Sequence, residues 1–134
     1  MFGLQIKYLS FFFGIISILS FFNIIYSYYF NLYLNLDTYY FTFVSSIIIF
    51  LIFLKFGKEN KKISIFDKIL TIFLGYLLIP LILSIPFYLS IYNLTFLNSF
   101  FESVSGFTST GFTIFENIKL IDQSLILWRS SIQW

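Results

Sequence analysis

Histidine, cysteine and alanine are absent from this 134-residue chain, its one methionine is the first residue, and only 10% of it is charged. Each absence excludes something. Without cysteine there is no disulfide framework and no thiolate ligand. Without histidine there is no imidazole-held metal, and neither Ser-His-Asp nor Cys-His catalysis can be assembled. Paired carboxylates are scarce too, since only Glu102 and Glu116 lie near one another. A lipid-modifying transferase of the membrane plane has little to work with, and no enzyme is expected. A soluble domain carries about 25% charged residues, so this chain lacks the polar surface to coat a globule in water. What is there instead is 59% hydrophobic and 25% aromatic, with mean hydropathy +0.92. The partner this composition demands is a lipid bilayer. A net charge of +2 gives no reason to expect nucleic acid. The missing alanine, beside abundant Phe, Ile, Asn, Lys and Tyr, reads as a genome base-composition bias, so aromatic richness alone is no binding signal.

Three long uncharged runs stand out, Tyr8–Leu36, Thr38–Leu54 and Ile69–Phe101. A helix crossing the hydrocarbon needs about 20 apolar residues. The first run is one span ending near Phe30, far too long for the h-region of a secretion signal. The second suffices if Lys55 snorkels to the interface. Tyr26, Tyr28, Tyr29, Tyr33, Tyr39 and Tyr40 crowd the intervening turn, as an interfacial aromatic belt does. The third run holds the only prolines, Pro80 and Pro86, and predicts a helix over 69–91 that is bent or loosened where they remove backbone donors. Lys7, Lys55, Lys58, Lys61, Lys62 and Lys68 fall on one side, against Lys119 and Arg129 on the other. The positive-inside rule puts the N-terminus in the cytoplasm, with Asn35 and Asn117 on the outer face. The lysine cluster otherwise reads as a lipid-head-group or partner site.

Against this background the stretch "SVSGFTSTGFT", residues 103–113, breaks into small hydroxyl-bearing residues. It follows a helical piece predicted over 95–106, with Thr95 or Asn98 as N-cap. That piece is about half as long as the hydrocarbon is thick. It enters the membrane without leaving on the other side, and residues through Thr113 climb back in extended form. Non-helical backbone at that depth is tolerated only where it is buried in protein or lines a water-filled path. A helix C-terminus aimed inward favours a cation, and small residues let backbone carbonyls replace a hydration shell. The combination describes a cation filter. The competing reading is helix–helix packing through small residues, but Gly106 and Gly111 are not at small-xxx-small spacing. Glu102, inside the short helix, is either a cation attractor or a structural ion-pair partner. Asn93 opens a glycosylation sequon, a short motif of little weight by itself.

"FFESVSGFTSTGFT", the trailing "LWRSSIQW" and "IPLILSIPFYLS" resemble the first pore loop and its flanking helices in the Trk/Ktr/HKT superfamily of potassium transporters, most like the bacterial Trk membrane subunit. The resemblance covers about Thr71–Trp134; Met1–Asn60 matches only in supplying an extra helical hairpin. It implies an all-α membrane protein. Residues 1–65 form a two-helix hairpin with a cytoplasmic Lys-rich loop, and residues 66–134 form the first helix–pore-loop–helix unit of a potassium-channel-like pore. Within that unit the resemblance implies filter residues Thr108, Ser109, Thr110, Gly111, Phe112 and Thr113, and a second helix starting at 124. Compared with the potassium-channel run TVGYG, "STGFT" keeps the central glycine and the aromatic beside it, and Thr113 replaces the second glycine. Glu102 and Arg129 are expected to face each other as a charged pair near the pore.

The family's second helix runs further than 124–134, and three of the four expected pore units are absent, so the chain is expected to be an N-terminal fragment. The resemblance further implies potassium as the transported ion, with coupling to Na+ or H+ left open, and location in the cytoplasmic (inner) membrane. The implied partners are three further pore units of the same chain, a second copy in a homodimer, and a cytosolic nucleotide-binding regulatory subunit. The alternative is a small membrane-embedded assembly subunit that packs without conducting.

Overall fold

A computed structural model describes residues 6–57 and 64–133. Lys58, Lys61, Lys62 and Trp134, which carry part of the sequence reading, lie outside the described residues. Helix α1 spans Ile6–Tyr29 and α2 spans Leu36–Phe56. They form a hairpin whose inner stripe on α1 is Leu9, Ser10, Phe13, Ser17, Ser20 and Ser27, all buried. Spacings of three and four keep these residues on one helical face. Small side chains there let α2 approach closely through its own buried Thr38, Thr42 and Ser46. Several of these hydroxyls bond back to carbonyls of their own helix, as from Ser10 to Lys7 at 2.6 Å, Ser20 to Ile16 at 2.9 Å and Thr42 to Thr38 at 2.8 Å. The opposite face of α1 exposes Phe11, Ile15, Ile18 and Phe22, a surface suited to lipid.

Helix α3, Ile65–Leu83, starts at a capping box. The Ser64 hydroxyl accepts from the Phe66 N–H, and the Asp67 carboxyl accepts from the Ser64 N–H. The helix tolerates Pro80, stops at Ser84, and resumes as the single turn α4, Ile85–Tyr88, with Pro86 at its start. Pro86 has no N–H to continue the ladder. Carbonyls around the break also accept from donors outside the helix. Leu83 accepts from the indole N–H of Trp128 at 3.2 Å, and Pro80 accepts from the Ser103 hydroxyl at 2.8 Å. The break therefore docks the two elements that follow. These are α5, Phe96–Phe107, and, after a 3-10 turn at Ile118–Leu120, α6, Gln123–Gln133.

The protein is all-helical, with no strand among the described residues. Three stretches, Lys7–Tyr29, Leu36–Phe56 and Ile65–Tyr88, are long and apolar enough to cross a membrane, so this is an integral membrane protein. Phe13, Tyr39, Phe87, Leu125 and Trp128 centre the core where α1, α2, α4 and α6 meet.

Asn35 departs from its expected place in the solvent. It lies on the α1–α2 turn but is only 1% exposed, because its side chain is used inside. Its amide donates to Asp122 at 2.8 Å, and its carbonyl oxygen accepts from the Ile91 N–H at 3.2 Å. Asp122 also receives the Ser124 hydroxyl, which in turn meets the Tyr39 hydroxyl at 2.9 Å. Asp122 donates its own N–H to the Tyr92 oxygen at 2.6 Å. This polar corner ties the hairpin to the entry of α6.

Candidate functional site

Helix α5 begins where Thr95 caps it, the threonine hydroxyl accepting from the Asn98 N–H at 3.3 Å. Its 12 residues span about 18 Å, short of the roughly 30 Å of a bilayer's hydrocarbon core. It ends against α6, where Gly106 makes room. A Cβ on Gly106 would come within 3.1 Å of the Ile132 side chain. Past the helix, the chain was expected to run extended to Thr113. It turns instead. Ser109 takes φ 55° and Gly111 takes φ 82°, both in the left-handed region that closes helices and tight turns. The turn is hydrogen-bonded back to the helix. Thr108 N–H reaches Val104 at 2.9 Å, Ser109 N–H reaches Gly106 at 2.9 Å, and Thr110 N–H reaches Ser105 at 3.0 Å. These bonds occupy the carbonyls that a helix C-terminus leaves without partners.

Thr108, Ser109, Thr110, Gly111 and Phe112 therefore lie together on one exposed loop, with Thr113 half-buried at its far end. The Thr108 and Thr110 hydroxyls face each other at 2.7 Å, and Ser109 donates to the Gln133 carbonyl at 3.3 Å. Behind the loop, Glu102 is completely buried. One carboxyl oxygen accepts from the Thr113 hydroxyl at 2.7 Å and the Ile114 N–H at 2.6 Å. The other lies 2.9 Å from Nε of Arg129 and has no further hydrogen-bond partner. The guanidinium continues outward, donating from Nη2 to the Phe112 carbonyl at 2.7 Å and more distantly to Gly111 at 3.4 Å. Glu102 and Arg129 are thus brought together, and each also grips backbone within 111–114. Glu102 presents no oxygen to solvent, and no three of His, Cys, Asp and Glu converge among the described residues.

Sequence reasoning missed the Asp122 corner, the indole bond of Trp128 and the bond from the Ser105 hydroxyl to the Phe112 carbonyl. Asp122 had a legible signal, an acidic side chain directly before an apolar helical run, where N-caps sit. Its Oδ1 does accept from the Ser124 N–H, at 3.5 Å.

No family profile and no solved structure matches the chain. Curated proteins do. Over 81 residues, 60% of its length, the chain is 32% identical to an uncharacterised cation transporter of Methanocaldococcus jannaschii, covering 17% of that protein. It is 43% identical over 51 residues to a Trk system potassium uptake protein of Halomonas elongata, covering 38% of this chain and 10% of that one. A Trk system potassium uptake protein of Escherichia coli is 28% identical over 78 residues, covering 58% of this chain and 16% of that one. The chain thus matches between 10% and 17% of the length of these relatives. Two of them carry a Trk potassium-uptake name and the third a cation-transporter name, so the chain is similar, at modest identity and over part of its length, to Trk-type potassium uptake proteins.

Proposed function

We propose that this chain serves potassium uptake across the cytoplasmic membrane and that residues 108–113 form one of four filter strands around the ion path. The observation that carries the reading is the turn itself. A half-length helix ends in small residues, its loop adopts two left-handed dihedrals, and a buried carboxyl and a guanidinium brace it from behind. A cation site built from carbonyls and hydroxyls requires that backbone be held rigidly where water would otherwise solvate it. The Phe112 carbonyl is taken up by the protein. In this reading the ion meets carbonyls and hydroxyls nearer Thr108–Gly111, with the Thr113 hydroxyl turned inward onto Glu102. Residues 1–65 act as the hairpin and 66–134 as a helix–loop–helix pore unit, with further units, a second copy and a nucleotide-binding regulator completing the transporter. Coupling to Na+ or H+ belongs to that whole assembly.

Gly111 tests the filter. A Cβ there would meet nothing closer than Gln133 Nε2 at 3.9 Å, so the substitution is not excluded by crowding within this chain. The φ of 82° is the obstacle, costing an L-residue about 1–2 kcal/mol. In the intact protein, in a host deficient in potassium uptake, Gly111→Ser is expected to lower the preference for rubidium and potassium over sodium. An unchanged preference removes the filter from these residues.

The proposed orientation, N-terminus in the cytoplasm, rests on the lysine asymmetry. Single cysteines at Asn31 and Asn117, both exposed, are expected to react with an impermeant maleimide added outside, and one at exposed Lys68 is not. Labelling of position 68 from outside inverts the topology. Asn35 is unsuitable as a reporter because it is buried.

A further inference from the structure

Among the hydroxyls of α5, Ser105 behaves differently from its neighbours. Thr108 and Ser99 bond back to carbonyls one turn earlier in the chain, at 2.8 Å and 3.0 Å. Ser103 divides its proton between Phe100 of its own helix and Pro80 of α3. Ser105 instead reaches forward out of the helix, donating to the Phe112 carbonyl at 2.6 Å. Its own carbonyl accepts from the Thr110 N–H at 3.0 Å and the Gly111 N–H at 3.4 Å. A single residue, 4% exposed, thus holds three consecutive loop residues, one by its side chain and two by its backbone.

The hydroxyl has a specific consequence. A carbonyl that accepts from Ser105 Oγ at 2.6 Å and from Arg129 Nη2 at 2.7 Å is saturated, since an oxygen offers two lone pairs. Phe112 therefore points its carbonyl into the protein. The peptide planes of Gly111 and Thr110, covalently continuous with it, are fixed in turn. Without the serine proton the Phe112 peptide keeps only the guanidinium. Gly111, with the freest backbone in the loop, then absorbs a rotation that re-aims the carbonyls before it.

We propose that Ser105 is a positioning residue that sets the carbonyl geometry of 110–112 and, with it, the ion preference of the loop. This rests on the reading of residues 108–113 as a filter. The test uses the intact protein and paired rubidium and sodium flux assays in the uptake-deficient host, with membrane levels matched by immunoblot. Ser105→Ala is expected to reduce the potassium-over-sodium preference about threefold to tenfold, the size of one lost hydrogen bond. Ser105→Thr, which restores a hydroxyl, is expected to recover most of it. If the alanine variant fails to accumulate, Ser105→Thr and Ser105→Val decide the question, being equal in shape and differing in the hydroxyl alone. Equal preference in that pair, or unchanged preference in Ser105→Ala while Gly111→Ser loses it, overturns the role of Ser105 and leaves the filter standing. Unchanged preference in both Ser105→Ala and Gly111→Ser overturns the filter assignment and this inference with it.

Discussion

Glu102→Gln or Arg129→Gln alone is expected to destabilise the intact protein by about 3–5 kcal/mol, because each leaves a buried charge without its counterpart. Glu102 has no exposed surface and sits 2.9 Å from Arg129 Nε, while the Arg129 side chain is 18% exposed, so a lone carboxylate is left without water and a lone guanidinium is solvated only at its outer end. Each residue also holds backbone, Glu102 through the Ile114 N–H and Arg129 through the Phe112 carbonyl. The single changes are therefore expected to abolish uptake as well as lower thermal stability in detergent. The double change to glutamine removes both charges and is expected to be milder than the sum by about 0.5–3 kcal/mol, the usual coupling of residues in contact. Thermal melts of fluorescent-tagged protein, read together with rubidium uptake, measure both effects. Strictly additive losses would mean that the two residues do not interact.

Trp128→Ala is the other large effect, an expected loss of about 3–5 kcal/mol for emptying a buried aromatic site. Trp128 has no exposed surface, and its ring lies 6.1 Å from that of Tyr39. It supplies the donor for the Leu83 carbonyl where α3 breaks. In hydrocarbon that carbonyl has no water to fall back on. Trp128→Phe separates the two contributions, keeping most of the ring while dropping the N–H, with an expected cost of about 1–3 kcal/mol. A Trp128→Ala protein that melts like the parent would remove α6 from the core.

Much of the fold was legible in the sequence because hydrocarbon thickness constrains it so strongly. The apolar runs, Thr95 at the head of α5, and the break between Pro80 and Pro86 all follow from local chemistry. The loop was legible in composition but not in path. Nothing in "STGFT" distinguishes an extended strand from one turned at Ser109 and Gly111, since the bonds that turn it come from Ser105 and Gly106 in the preceding helix. Asn35 was misjudged for a related reason. A polar residue beside a turn reads as solvated, and the acceptor that buries it, Asp122, lies 87 positions away. Hydroxyls are so frequent in this chain that residue type alone could not single out Ser105 among them.

The Asp122 corner also makes a fulcrum. It fixes the first turn of α6 to the α1–α2 hairpin through Asn35, and further along Trp128 ties the same helix to α3, so α6 pivots about that corner only together with the elements packed on it. Arg129 lies six positions from Gln123, a lever arm of about 9 Å along the axis. A tilt of about 10° at the fulcrum displaces the guanidinium by roughly 1.5 Å at that arm, more than its hydrogen bond to the Phe112 carbonyl can stretch and survive. Any angular displacement of α6 therefore reaches the loop through Arg129 and through Gln133, whose carbonyl holds Ser109.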